Sequence, residues 1–252
     1  MMRTLLLLAL LVSGVAPAAE TTREARLQEL AGFHDVAIPQ AWANLYFKQE
    51  ALRITRKHLL TAGREEKLGP GWNPDVPEWQ AAENEIVPLL VRAAHQDYED
   101  SGWSRDAWVT ICDRRFSDAE LDALLVHFRS EGGRHQAAGM DWFIAEVVMN
   151  TLTFTDRIQT GVPGSEAERQ AMQRLAQAKI AAMQFDWTAY PETLSFSYQG
   201  AGLRYFRDVS FQMVSVLNAR IDRAAGRLRP TFDAEIERAD RHIEDFKARG
   251  KR

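Results

Sequence analysis

The stretch FSDAELDALLVHFRSEGG, residues 116–133, contains a full set of local helix signals. Ser117 and Glu120 stand at the S-x-x-E spacing of a capping box, in which the hydroxyl accepts from a first-turn amide and the carboxylate from the cap's own amide. Phe116 before the cap and Leu121 inside it can close as a hydrophobic staple. Asp118, Glu120 and Asp122 place negative charge at the positive end of the helix dipole, and Arg129 puts a cation in the last turn. Leu121, Leu124, Leu125 and Phe128 recur at helical spacing and make one apolar face. Gly132 and Gly133 are expected to stop the helix by taking positive φ. The cassette explains itself as architecture and needs no substrate.

Working outward, the same periodicity dominates the chain, and no train of alternating strands interrupts it. A short helix is expected over residues 22–32. A second begins near Pro39, with Ile38, Trp42, Leu45, Leu52 and Leu59 at helical spacing. The stretch AGREEKLGPGWNPDVPE breaks regular structure with its glycines and prolines, and Trp72 inside it should pin the loop to the body. A third helix follows from Glu78, with Pro88 either kinking or splitting it. Ser104, with Asp106 behind it, should cap a fourth, and a sixth is expected from Gln136. QTGVPGS, residues 159–165, is a turn-rich joint, after which Ser165 and Glu168 repeat the capping-box spacing. Residues 194–226 form one further helix whose serine- and glycine-rich start is a poor helix former. In the last helix Phe232, Ile236, Ala239, Ile243 and Phe246 form a narrow seam made for a helical neighbour. The expected class is therefore all-α: an antiparallel bundle or array of about eight to nine helices, or two abutting helical halves. The expected division is a leader over 1–18, a helical region over 19–160 and a carboxy-terminal helical region over 165–252 packed on it.

The first residues, MMRTLLLLALLVSGVAPAAE, have the three parts of a secretory signal: Arg3, an apolar run, and the small-residue site Ala16-Pro17-Ala18. Cleavage is expected after Ala18, leaving a periplasmic protein with no transmembrane span. Net charge is −4, which lacks the basic footprint of nucleic-acid binding. Cys112 is the single cysteine. It has no intramolecular partner for a bridge, so it is a buried apolar residue, an intermolecular partner or a reactive thiol.

The six histidines, His34, His58, His95, His127, His135 and His242, form no H-E-x-x-H pattern. His127, Glu131 and His135 are each four apart and would share a face on a continuous helix, but the glycine pair is expected to interrupt it. No metal site, cofactor or catalytic residue is assigned. Nucleophile-elbow, Walker-loop and dinucleotide fingerprints do not occur. Carboxylates such as Glu235, Asp240 and Glu244 alternate with Arg238 and Arg241, as on a solvated face. The tryptophans Trp42, Trp72, Trp79, Trp103, Trp108, Trp142 and Trp187 either fill the core or line a ligand groove, with core the favoured reading.

Two segments, IVPLLVRAA (residues 86–94) and FSDAELDALLVHFRSEGGRHQ (residues 116–136), resemble the DUF2059 family, a domain of unknown function in exported bacterial proteins. The resemblance covers residues 86–150. It implies a helical envelope protein and transfers no catalytic residues. The functional expectation is a non-enzymatic binding or interaction module, its partner an envelope protein or a small apolar ligand. The alternatives are a hydrolase using carboxylates or His127 in an inter-helical cleft, and a carrier whose cavity is lined by tryptophans and residues 206–217.

Overall fold

The computed structural model describes residues 22–34, 37–98, 102–160 and 187–250. The leader, the joint beyond residue 160 and the helix expected from Ser165 lie outside the described residues. Among the described residues all regular structure is helical and no strand is present. In chain order the helices are α1 (Arg23–Ala31), α2 (Ala37–Glu65), α3 (Pro77–Tyr98), α4 (Trp103–Arg115), α5 (Asp118–Arg129) and α6 (Glu131–Thr160). There follow α7 (Pro191–Ser197), α8 (Gly200–Arg204), a π turn (Tyr205–Val209), α9 (Ser210–Ala225) and α10 (Leu228–Arg249).

Seven of these, α2 to α6 with α9 and α10, reach 12 residues or more, so the expected eight to nine helices is slightly too high. The difference comes from α1, which has 9 residues, and from the helix expected at Ser165, which lies outside the described residues; the helix expected over 194–226 is itself not continuous. It breaks after Ser197, and the chain restarts at Gly200 with φ +49°, a left-handed conformation that glycine adopts without a Cβ penalty. Helix α3, by contrast, runs unbroken through Pro88.

The opening motif folds largely as its residues dictate. The Glu120 carboxylate accepts from both the backbone N–H and the hydroxyl of Ser117, at 2.9 Å each. Phe116 and Leu121 are both buried. The stop differs from expectation. Helix α5 ends at Ser130, which is extended (φ −71°, ψ 161°), and α6 starts immediately at Glu131 and runs through both glycines. The Ser130 hydroxyl accepts from the Gly133 N–H at 3.0 Å, so serine caps the following helix. The glycines serve close approach: a Cβ on Gly133 would lie 2.0 Å from the His127 carbonyl oxygen, and one on Gly132 would lie 2.3 Å from Thr193 Cγ2. A second correction concerns α4, where Gly102, at φ +105°, takes the N-cap place and Ser104 lies buried in the first turn.

Helices α2, α3 and α10 pack on one another, α6 packs on α2, α5 and α9, and α1 lies across α4 and α5. The main core runs from Leu27 and Leu30 of α1 through Phe47, Leu90, Leu124 and Phe128 to Leu217 and Phe232. Residues from both sides of segment 161–186 therefore share one apolar interior. The seam of α10 finds its neighbours within the chain: Phe232 and Ala239 join the main core, and Ile243 joins Leu59, Trp72, Trp79 and Ala82 in a smaller cluster. Trp72 anchors its loop by donating its indole N–H to the Leu59 carbonyl at 2.8 Å.

Candidate functional site

Helix α1 ends at Gly32, and one tight turn later His34 enters the core, its N–H bonded to the Ala31 carbonyl. The placement is held from outside by charges. Arg23 bonds Asp113 and Asp118 and donates to the Asp113 and Phe116 carbonyls, Arg26 pairs with Asp118 and Asp122, and Glu29 pairs with Arg129. These contacts fix α1 on α4 and α5 and so fix where His34 points.

The imidazole has a partner on each nitrogen. Nδ1 lies 2.7 Å from Asp141 Oδ1 on α6, and Nε2 lies 2.6 Å from the Tyr205 hydroxyl in the π turn. The network closes with the Nδ1–H donating to the carboxylate and the phenol donating to Nε2. Side-chain exposure is 1% for His34 and 5% for Asp141, and Tyr205 is fully buried. Trp108 of α4 stacks on the imidazole with ring centroids 3.7 Å apart and planes 8° from parallel. Tyr205 continues the stack at 5.9 Å from Trp108, and Phe128 and Phe116 close around it. Burial pushes the Tyr205 phenol well above its ordinary range, with Cys112 and Asp141 adding to the shift. The π turn widens the helix where the phenol must reach inward, a recurrent association of such bulges with functional positions.

Beside this network lies a cavity of about 10 Å³ lined by His34, Ser104, Trp108, Asp141, Met213 and Leu217 among others, room for on the order of one water. It touches residues expected of an apolar carrier, yet its size admits no organic ligand. A wider groove of about 440 Å³ lies between α1 and α4, where Arg23 and Asp113 are already engaged with each other.

The sequence-level candidates fall elsewhere. His127 is buried and stacks on Phe196 at 3.8 Å, with Nε2 bonded to Gln136 Oε1 at 2.6 Å. Gln136 in turn donates to the Thr193 carbonyl and the Ser197 hydroxyl, so this set pins α7 to α5 and α6. Burial lowers the His127 pKa, against a smaller upward effect of the Gln136 bond. Glu131 and His135 do not join it in a ligand set: among the described residues no three His, Cys, Asp or Glu side chains are grouped to hold a metal ion. Cys112 is buried and its thiol is pushed up to about 12 by desolvation. Trp72, Trp79 and Trp108 are buried; Trp42, Trp103 and Trp142 are half-buried.

Asp141 and Tyr205 are not distinguishable as site residues from spacing, because their bonds to His34 span 107 and 171 positions. One signal is present. Asp141 is a lone acid inside the apolar run MDWFIA, where a carboxylate must find a buried partner. Compared with protein-family models, with curated proteins and with solved structures, the chain matches none.

Proposed function

We propose that the chain is an exported, periplasmic interaction module that docks an envelope protein through apolar surface and performs no hydrolysis. The carrying observation is the enclosure of its one described Asp–His–Tyr set: each nitrogen of His34 is taken, and the adjoining space of about 10 Å³ has room for no more than about one water. A hydrolytic site needs its acid and base within reach of substrate. The outer surface offers apolar area instead. Phe143 on α6 and Phe211 on α9 are 45% and 55% exposed and meet edge to face at 6.4 Å. No described helix is long and apolar enough to cross a membrane. The resemblance of residues 86–150 to an exported helical family supports the same reading.

The test is site-specific photo-crosslinking from position 211 in intact cells. A discrete adduct that disappears with Phe143→Glu, and that a probe at exposed Lys57 does not give, supports docking on this face. Identical adduct patterns from positions 211 and 57 count against it.

A further inference from the structure

An enclosed site excludes a substrate but does not exclude an electron, because electron exchange needs no contact with the reacting atoms. The Tyr205–His34–Asp141 arrangement meets the chemical conditions for such an exchange. A phenol that loses an electron becomes a strong acid, so its oxidation is accessible when a proton acceptor already sits on the hydroxyl. Nε2 of His34 does so at 2.6 Å. Tyr98 makes the contrast within the same fold: its hydroxyl faces only the Pro39 carbonyl, at 3.5 Å, and a carbonyl is no proton acceptor of comparable strength.

We propose that Tyr205 is a reversible one-electron donor whose phenolic proton passes to His34 as the electron leaves. The electron goes to a high-potential one-electron oxidant of the metal-complex class, which is reduced by one unit. The O–H bond of Tyr205 breaks and an N–H bond forms at Nε2. Tyr205 is left as a neutral phenoxyl radical and His34 as an imidazolium, with its Nδ1–H still on Asp141. Return of the electron carries the proton back.

Three features of the site favour this step. First, the Asp141 carboxylate makes it electrostatically inexpensive: the imidazolium forms against an anion 2.7 Å away, so no unpaired positive charge is created in the interior. Second, Trp108 lies parallel to both rings, its face on the imidazole at 3.7 Å, where a cation is stabilised by the ring quadrupole. Third, the rings of Phe116, Phe128 and Phe206 around Tyr205 keep other molecules from the radical. Burial also holds the phenol protonated, so the proton leaves only with the electron.

The experiment is flash photo-oxidation of the full chain with ruthenium tris-bipyridine and persulfate, read by transient absorption and electron paramagnetic resonance. The expected result is a phenoxyl component that is lost in Tyr205→Phe but kept in Tyr198→Phe, whose exposed ring supplies the background, and that forms more slowly in D₂O. His34→Gln removes the base and should lower the rate of phenoxyl formation roughly a hundredfold, the low end of what a positioned proton acceptor contributes. Circular dichroism establishes that each variant is folded, and if His34→Gln is not, the isotope effect in the unsubstituted chain decides. A phenoxyl signal of the same yield in Tyr205→Phe as in the unsubstituted chain, a signal from tryptophan alone, or formation of the Tyr205-dependent component at equal rates in H₂O and D₂O overturns the proposal.

Discussion

Trp72 and Gly63 occupy one another's space: a Cβ on Gly63 would lie 2.2 Å from Trp72 Cδ1. The contact lets the indole reach the Leu59 carbonyl and seat against Trp79 and Phe246, and so closes the loop between α2 and α3 over the end of α10. Alanine at position 63 improves helix propensity but overpacks the site. The expected balance is a loss of about 1–3 kcal/mol. Trp72→Ala, which empties the pocket and removes the indole bond to the Leu59 carbonyl, should cost about 3–5 kcal/mol. Urea unfolding of both variants checks the order.

Three glycines of α6 separate close approach from mere tolerance. Gly133→Ala drives a Cβ into the His127 carbonyl, backbone against backbone, and should cost upwards of about 3 kcal/mol or prevent folding. Gly132→Ala meets the side chains of Thr193 on α7 and of Tyr190 just before it, and should selectively loosen that helix. A Cβ on Gly139 would have nothing within 4 Å, and the residue lies mid-helix, so Gly139→Ala should stabilise by about 0.5–1 kcal/mol. Thermal melts of the three variants give the comparison.

The helical class, the α5 cap, the α10 seam and the Trp72 anchor are legible because each rests on residues close in sequence or on a simple period. The glycine pair reads wrongly as a stop because the same composition serves a helix end and a tight crossing, and only the position of Thr193 and the His127 carbonyl tells them apart. The His34 network is illegible for a different reason. Its members come from the turn after α1, the middle of α6 and a π turn, and nothing local states that these meet.

Stability should fall in two stages as pH is lowered. The unfolded imidazole takes its proton near pH 6.5, whereas burial lowers the native His127 below that. The unfolded state therefore binds more protons below about pH 6.5, and native stability declines from there. The second stage involves Asp118, held low by its bond from Arg23, and Glu29, held low by Arg129. Their contribution is present above the unfolded carboxylate range near pH 4 and is lost as pH falls through the lower native values. His127→Gln should flatten the first stage and leave the second. Arg23→Ala should weaken the second and speed hydrogen exchange in α1 specifically. Urea midpoints from pH 7 to pH 3 show whether the stages separate in this way.

Cys112 should be silent to thiol reagents while the chain is folded. Its side chain is buried and desolvation pushes its thiol up to about 12, so the reactive thiolate is scarce and out of reach. Labelling by a disulfide-exchange reagent at pH 8 should track global unfolding across a urea series. Rapid labelling in the absence of denaturant would show that α4 opens on its own.

The hydroxyl of Tyr205 and the carboxylate of Asp141 act on one imidazole from opposite sides, so their energetic contributions should not be independent. Tyr205→Phe keeps the ring in its aromatic pocket and leaves the acceptor Nε2 buried without a donor, a loss of about 1–3 kcal/mol. Asp141→Asn replaces a charged acceptor with a neutral one at 2.7 Å, and a charge-assisted bond is roughly twice as strong as a neutral one, so the loss should be of similar size or larger. Once either partner is gone the ring is free to shift toward the other, and the second substitution should then cost less than it does alone. A double-mutant cycle by chemical denaturation is expected to give a coupling on the order of 0.5–3 kcal/mol. Strict additivity would mean that the two bonds are held by the surrounding rings rather than by each other.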